Sequence, residues 1–353
     1  MTTTAQTAEG ARPRRITLSR VADEAGVSVA TASKVINGRG GVGEETRRLI
    51  EEIADRLGYV SVGERERPVR GKREPLIELV SDTFLNPYTL LLLSGAVTAA
   101  ENAESAIVTR QLSAIARQTP LKWAQRLALG GRIGVIEVTS QFSAERERAL
   151  RKVGLPVVLV DPIEVPRMSL VSVGATNWAG GLEATQHLIE LGHSNIAYIG
   201  GPRGAACDVA RTHGYQAAMQ QASLHIDLTE VIHGPFTFEH GLTAGLQVLS
   251  RPTPPTAIFA ASDVTAMGVM EAARTLGISI PGQLSIVGFD NTMLAHTSSP
   301  RLTTIHQPVE EIGQTAVQTV HTLARGEVLP SKRVELATHL VIRDSTAPLK
   351  RNE

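Results

Sequence analysis

Residues 17–59 read TLSRVADEAGVSVATASKVINGRGGVGEETRRLIEEIADRLGY, three helical patterns with the tight turn Ala25-Gly26-Val27-Ser28 after the first. Thr17 stands where an N-cap belongs, and Leu18, Val21, Ala22 and Ala25 recur at three- and four-residue spacing, which places them on one helix face. Gly26 stops that helix, because a left-handed residue there lets the chain reverse. Ser28 caps a second helix in which the small residues Ala32 and Val35 are buried while Val29, Ala30, Thr31, Ser33 and Lys34 face outward. Short hydroxyls and one long cation suit a helix pressed into a major groove. Hydroxyls bond phosphate or base edges, lysine reaches guanine acceptors, and Val or Ala touches thymine methyls. Asn37-Gly38 closes this helix. A third helix is expected from Glu44 to Leu57, with Thr46, Leu49, Ile50, Ile53, Ala54 and Leu57 inward and Gly58 past its end.

The rest of the chain sets the frame. Its 353 residues suggest two or three folding units, and the 42% apolar content with few aromatics fits a soluble α/β protein. Cys207 is the only cysteine, so no intrachain disulfide forms and a reducing, cytoplasmic compartment is expected. No run of apolar residues is long enough to span a bilayer, and residues 1–15 contain no apolar signal segment. Residues 1–13 read as a disordered leader. The net charge of zero hides an asymmetry. Residues 1–74 carry 14 Lys and Arg against 11 Asp and Glu, a net of +3, leaving 21 against 24, a net of −3, for the remainder. Arg12, Arg14, Arg15 and Arg20 cluster where phosphate neutralisation would add salt-dependent affinity.

The strings Leu18-x-x-Val21-Ala22-x-x-Ala25-Gly26-Val27-Ser28, Thr31-x-Ser33-x-Val35-x-Asn37, Thr46-Arg47 and Leu57-Gly58-Tyr59 resemble the DNA-binding domain of the lactose-repressor (LacI/GalR) family of bacterial transcription regulators. This assigns residues 14–60 to a helix-turn-helix domain. The charged segment 61–74, SVGERERPVRGKRE, then becomes the connector, which in that family forms a hinge helix that wedges a leucine into the minor groove. Here the wedge position falls on Pro68. Proline discourages helix, so a shortened or absent hinge helix is expected, with Arg65, Arg67 and Arg70 serving the groove electrostatically.

From Pro75 onward short apolar runs alternate with helical patterns. Leu76–Val80, Ala106–Thr109, Ile133–Val138, Val157–Val160 and Leu170–Val173 read as buried parallel strands. A second series follows at Ile196–Ile199, Val231–Ile232, Ala257–Phe259 and Ser285–Phe289. Two β-α series imply two doubly wound subdomains with a ligand cleft at the carboxyl ends of their strands. The strings Ser81-Asp82-x-x-x-Asn86-Pro87-Tyr88, Asn177-Trp178-Ala179-Gly180-Gly181, Arg211-x-x-Gly214-Tyr215, Ser262-Asp263-x-x-Ala266-x-Gly268, Gly288-Phe289-Asp290-Asn291 and Leu302-Thr303-Thr304-Ile305-His306-Gln307-Pro308 resemble the effector domain of the same family, which shares the fold of periplasmic sugar-binding proteins. The expected layout is an effector and dimerisation domain at 75–345. Its N-subdomain comprises about 75–173 and 305–330, its C-subdomain about 174–304 and 331–345, and a tail follows at 346–353.

The fold class is therefore an all-α helix-turn-helix domain plus a periplasmic-binding-protein-like α/β domain of two doubly wound subdomains. The resemblance implies a homodimer or dimer of dimers that represses carbohydrate genes from a palindromic operator. Val29, Ala30 and Lys34 would read bases, while Thr17, Ser28, Thr31, Ser33 and Asn37 hold phosphates. It nominates Arg211, Asp263 and Asp290 as sugar-hydroxyl partners, with Trp178 and Phe84 or Tyr88 covering a pyranose. Arg110 stands at a strand end within reach of such a ligand. A purine or other non-sugar effector is the alternative. A transporter's solute-binding protein would lack the DNA module. An enzyme finds no support, since dinucleotide, P-loop and Gly-x-Ser-x-Gly spacings are absent. No cofactor is expected, and His187, His193 and His306 have no carboxylate or cysteine at metal-ligand spacing.

Overall fold

The computed structural model describes residues 16–36, 40–57, 59, 74–164, 169–226 and 231–349. The expectations placed on the leader, Arg12, Arg14, Arg15, Asn37, the connector with Pro68, and residues 350–353 lie outside them. The chain divides into two units, residues 1–73 and 74–353.

The first unit holds α1 (Leu18–Glu24), α2 (Val29–Ile36) and α3 (Glu44–Leu57). Gly26 adopts φ +64°, the left-handed conformation that reverses the chain, and Val27 N–H returns to the Ala22 carbonyl at 3.0 Å. Val21, Ala22, Ala32, Val35, Ile50, Ile53 and Ala54 form the core. Arg56 on α3 pairs with Glu24 on α1 at 2.8 Å. Leu49 departs from the expected inner face of α3 and is 46% exposed. Consecutive helical residues lie about 100° apart, so with Ile50 pointing straight at the core Leu49 falls at the edge of the apolar stripe.

The second unit is built on two six-stranded sheets. The first contains β1 (Leu76–Ser81), β2 (Ala106–Gln111), β3 (Arg132–Val138), β4 (Val157–Val160), β5 (Val171–Ala175) and β11 (Arg333–Leu336), in the order β11-β5-β4-β3-β1-β2 and parallel throughout. The second contains β6 (Ile196–Ile199), β7 (Val231–Ile232), β8 (Ala257–Ala260), β9 (Ser285–Asp290), β10 (Thr303–His306) and β12 (His339–Val341), in the order β12-β10-β9-β8-β6-β7, with only β12 antiparallel. Helices cover both faces of the second sheet and most of the first, which is why β4, β6 and β8 read as unbroken apolar runs.

The chain passes between the sheets three times: at Thr176, at Gln307-Pro308 and at Ala337-Thr338. This corrects the expected partition in two places. Residues 331–345 do not all belong to the C-subdomain, because β11 pairs with β5 in the first sheet, Arg333 opposite Ser172 and Glu335 opposite Gly174. Likewise β10 keeps Ile305 and His306 in the second sheet. Four-residue strands rich in polar side chains carry little local signal, and only long-range pairing assigns them. Two crossovers are tied together, since Thr176 N–H donates to the Leu336 carbonyl at 2.9 Å and Thr338 N–H to Thr176 Oγ1 at 3.0 Å.

The helices Asn177–Glu190 and Ala206–Gln221 touch through reciprocal glycines. A Cβ on Gly181 would lie 2.3 Å from the Arg211 carbonyl oxygen, and one on Gly214 would lie 2.2 Å from that of Trp178. Backbone contact at these points sets where Trp178 and Arg211 emerge.

Candidate functional site

Within the first unit, Ser28 Oγ accepts the Thr31 N–H at 3.1 Å and lies 2.8 Å from the Thr31 hydroxyl, so Ser28 is the N-cap of α2. Ser28, Val29, Ala30 and Lys34 are exposed, whereas Thr31 and Ser33 are half-buried. At 100° per residue, Val29, Ala30, Ser33 and Lys34 occupy one side of α2, and Ala32 and Val35 the side packed on the core. Thr17 is exposed and its side chain makes no cap hydrogen bond to α1. The exposed side of α2 thus presents two small apolar groups followed by a cation.

In the second unit, the carboxyl ends of the strands in both sheets converge on a cavity of about 70 Å3. Helix Pro87–Asn102 starts after Asn86, whose Oδ1 accepts Tyr88 N–H at 2.9 Å, and this delivers Tyr88 to the cavity wall. Its hydroxyl donates to Asp161 Oδ2 at 2.5 Å. Asp161 follows β4 in a left-handed conformation, φ +40°. Burial pushes the Asp161 carboxyl up, opposed by the Tyr88 bond and the attraction of Arg211. The Tyr88 phenol is itself held well above its ordinary value by burial and the neighbouring carboxylate, so it remains a donor.

Arg211 enters from the second subdomain, its guanidinium plane fixed on three sides. Nε donates to Asn177 Oδ1 at 2.8 Å, Nη1 donates to the Ala261 carbonyl at 2.5 Å, and the ring of Phe289 stacks with its centroid 3.7 Å away. Asp290 Oδ1 lies 3.9 Å from Nη1 and accepts Gln307 Nε2 at 2.6 Å. Burial raises the Asp290 carboxyl well above the ordinary range against the pull of Arg211, with the Asp263 charge adding to the rise. Asp290 also sits at φ +111°, a conformation costly outside glycine and one that accumulates at functional sites. Gln307 is 1% exposed, and its Oε1 is a buried acceptor with no partner. An unpaired acceptor in a cavity lining is a demand for a donor.

Of the effector residues expected from the sequence, Tyr88, Arg211 and Asp290 are brought together here. Asp263 is not. It is fully buried, accepting Thr292 N–H at 2.6 Å and Thr292 Oγ1 at 3.0 Å on one oxygen and Thr304 Oγ1 at 2.6 Å on the other. Its carboxylate fastens the loop after β9 to β10, and its neighbour Ser262, the N-cap of helix Asp263–Thr275, faces the cavity. Phe84 packs against the core of the first subdomain. Trp178 is 48% exposed and lines an adjoining groove instead. Arg110 is turned away, its Nε bonded to the buried Glu78, which Arg132 also contacts. Sequence reasoning missed Asp161, Gln307 and Phe236 in the cavity. For Asp161 a signal existed, an acid directly after the apolar strand Val157–Val160. Gln307 lay within the family-like string Leu302–Pro308, but its place in the cavity follows from a crossover, which is a tertiary fact. His187 and His193 bind the C-terminal segment, through Thr346 and Ala347. Among the described residues no cluster of metal-ligating side chains occurs.

Residues 17–61 match the lacI family of bacterial regulatory proteins, and residues 185–346 a periplasmic binding protein-like domain. The HTH-type transcriptional regulator DegA of Bacillus subtilis is 33% identical over 339 residues, 95% of this chain and 99% of that protein. The chain belongs to the lacI family. CelR of Thermobifida fusca, also an HTH-type transcriptional regulator, is 31% identical over 346 residues, covering 95% of this chain and 99% of its own. The structure of a CelR–cellobiose complex superposes with a TM-score of 0.70 at 30% identity over 94% of this chain and all of that one. The Lac repressor dimer bound to operator and an anti-inducer shares the fold, with a TM-score of 0.71 at 23% identity over 95% of this chain and all of that one. This lacI-family member is a DNA-binding transcriptional regulator, not an enzyme. Among the described residues no helix is long and apolar enough to cross a membrane.

Proposed function

We propose that this regulator acts in the cytoplasm as a repressor of carbohydrate-use genes, released from a palindromic operator by a small sugar bound between its two sheets. The observation that carries the sugar is the cavity's chemistry. Arg211 offers donors, Asp161 and Asp290 offer acceptors, and the orphaned Gln307 Oε1 awaits one more donor, a set that suits a neutral ring bearing hydroxyls. A relative agrees with this reading, since the structure of CelR is that of a complex with cellobiose.

Val29, Ala30 and Lys34 of α2 read bases, while Thr17, Ser28, Thr31, Ser33 and Asn37 meet phosphates. Two copies are needed, because one small domain buries too little surface for specific affinity and a two-fold dimer matches a palindrome. Cavity walls from both subdomains let a ligand favour one relative placement of the sheets. The coupling is reciprocal: the sugar weakens operator binding by the factor by which operator weakens sugar binding.

A thermal-shift screen against mono- and disaccharides, followed by operator gel shifts with each hit, tests this reading. A saccharide that raises Tm and releases operator supports it, and Arg211→Met should abolish both effects while leaving operator binding intact. Failure of every saccharide, with a purine or nucleoside succeeding, would sink the sugar assignment.

A further inference from the structure

Beside the inner cavity lies a second compartment of about 200 Å3 that shares Asp161 and Cys207 with it. Its floor is the face of the first sheet turned away from the core. Ser172 and Gly174 on β5 stand opposite Arg333 and Glu335 on β11, and residues two apart on a strand share a face. The intervening Val171, Val173 and Ala175 point the other way into the core. A Cβ on Gly174 would lie 2.6 Å from Asp161 Oδ1, so glycine is what lets the carboxylate reach over the strand toward the groove. The opposite wall comes from the second subdomain: Trp178, half-exposed, and the first turn of helix Ala206–Gln221, which carries Cys207 toward both compartments.

From this arrangement we infer that the effector has at least two rings, the first held among Arg211, Asp290 and Gln307 and the second laid on the indole of Trp178 over the β5–β11 floor. The inference rests on the sugar reading above and specifies its class as a disaccharide or longer. Three features carry it. Neither compartment alone reaches the several hundred Å3 usual for a small-molecule site, whereas two joined at Asp161 and Cys207 approach it. An exposed indole lining one groove with Ser172, Arg333 and Glu335 suits a ring with one C–H face and a rim of hydroxyls. The floor's two ionised side chains, Arg333 and Glu335, are of opposite sign, which favours neither a cation nor an anion. Asp161 stands where the glycosidic link would pass, already bonded to Tyr88.

The test is calorimetry on the full-length protein with α- and β-linked disaccharides and their constituent monosaccharides, repeated on Trp178→Ala, Trp178→Phe and Glu335→Ala. The expected result is a disaccharide bound at least tenfold more tightly than its monosaccharides. Trp178→Ala should weaken the disaccharide about five- to tenfold, the scale of one lost aromatic contact, while changing monosaccharide affinity less than twofold. Trp178→Phe should retain most of the affinity, and Glu335→Ala should again act on the disaccharide alone. Tryptophan emission gives a second readout, because Trp123 is fully buried and Trp178 alone meets the groove. A disaccharide should shift emission of the wild type and leave that of Trp178→Phe unchanged. Monosaccharides binding as tightly as disaccharides, or Trp178→Ala weakening both alike, would overturn the two-ring inference and leave the sugar reading standing. Binding of no saccharide at all would remove the sugar reading, and this inference with it.

Discussion

Tyr88→Phe isolates one hydrogen bond in the cavity and makes a pH-resolved prediction. The phenol donates to Asp161 at 2.5 Å in a buried setting, and it is the foremost influence holding that carboxyl down against burial. Phenylalanine keeps the ring in the core of the first subdomain and deletes only the donor. Asp161 then retains the attraction of Arg211 and a bond from Asn177. A bond to a charged group is worth about 1.5–3 kcal/mol, so a loss of about 2 kcal/mol is expected when Asp161 is ionised. In a domain this large that lowers Tm by about 4 °C.

The penalty depends on ionisation. Asp161 has its folded pKa already above the ordinary value, and the variant raises it further, so the two proteins differ while the carboxyl is charged and converge once it is protonated in both. The Tm difference should therefore be full at pH 8 and shrink as pH falls through the raised Asp161 pKa. Circular-dichroism melts at half-unit steps from pH 4.5 to 8 measure it. A Tm difference that is constant across the range would refute the claim that the bond serves an ionised Asp161, and no difference at all would refute its energetic significance.

Four further outcomes follow from the same geometry. Asp263 is raised to about 6 by burial, so its contribution to stability is complete below its unfolded value near 4 and declines as pH rises through about 6; urea titrations of Asp263→Asn should show a shallower loss of stability across that window than wild type. Gly214→Ala places a methyl 2.2 Å from the Trp178 carbonyl oxygen and should cost about 1–3 kcal/mol in denaturant titrations, with unchanged stability counting against backbone contact between the two helices. Lys34→Ala should reduce preference for operator over random DNA about tenfold or more in competition gel shifts, whereas equal weakening on every sequence would make Lys34 a phosphate contact. Burial lifts the Cys207 thiol to about 12, so a disulfide reagent should label the native protein far more slowly than the urea-unfolded chain at pH 8, and comparable rates would contradict that environment.

The three-helix unit was legible because its cues are local. Ser28 caps a helix wherever the backbone turns, Gly26 alone tolerates the reversal cheaply, and a 3.6-residue period marks Val21, Ala32 and Ile50 as core. The same holds for strands buried on both faces. Asp263 and Ser262 show where such reading stops. Both sit in one motif at a strand end, and one residue of rotation decides that the serine meets the cavity while the acid is consumed by Thr292 and Thr304. Trp178 belongs to a motif too, yet its neighbours are Arg333 and Glu335, more than 150 residues away in sequence.

By itself, the sequence determined the three-helix unit and the two βα series, since periodicity, capping and turn chemistry act over a few residues, while Arg211 and Asp290 were named only through the family resemblance of their motifs. Only the tertiary structure decided the rest. It placed β11 in the first sheet, set Asp161 and Gln307 against Arg211, and moved Trp178 to a second compartment. These outcomes depend on which distant strands pair and how closely two helices approach at Gly181 and Gly214, and such pairings are long-range contacts that no local pattern encodes.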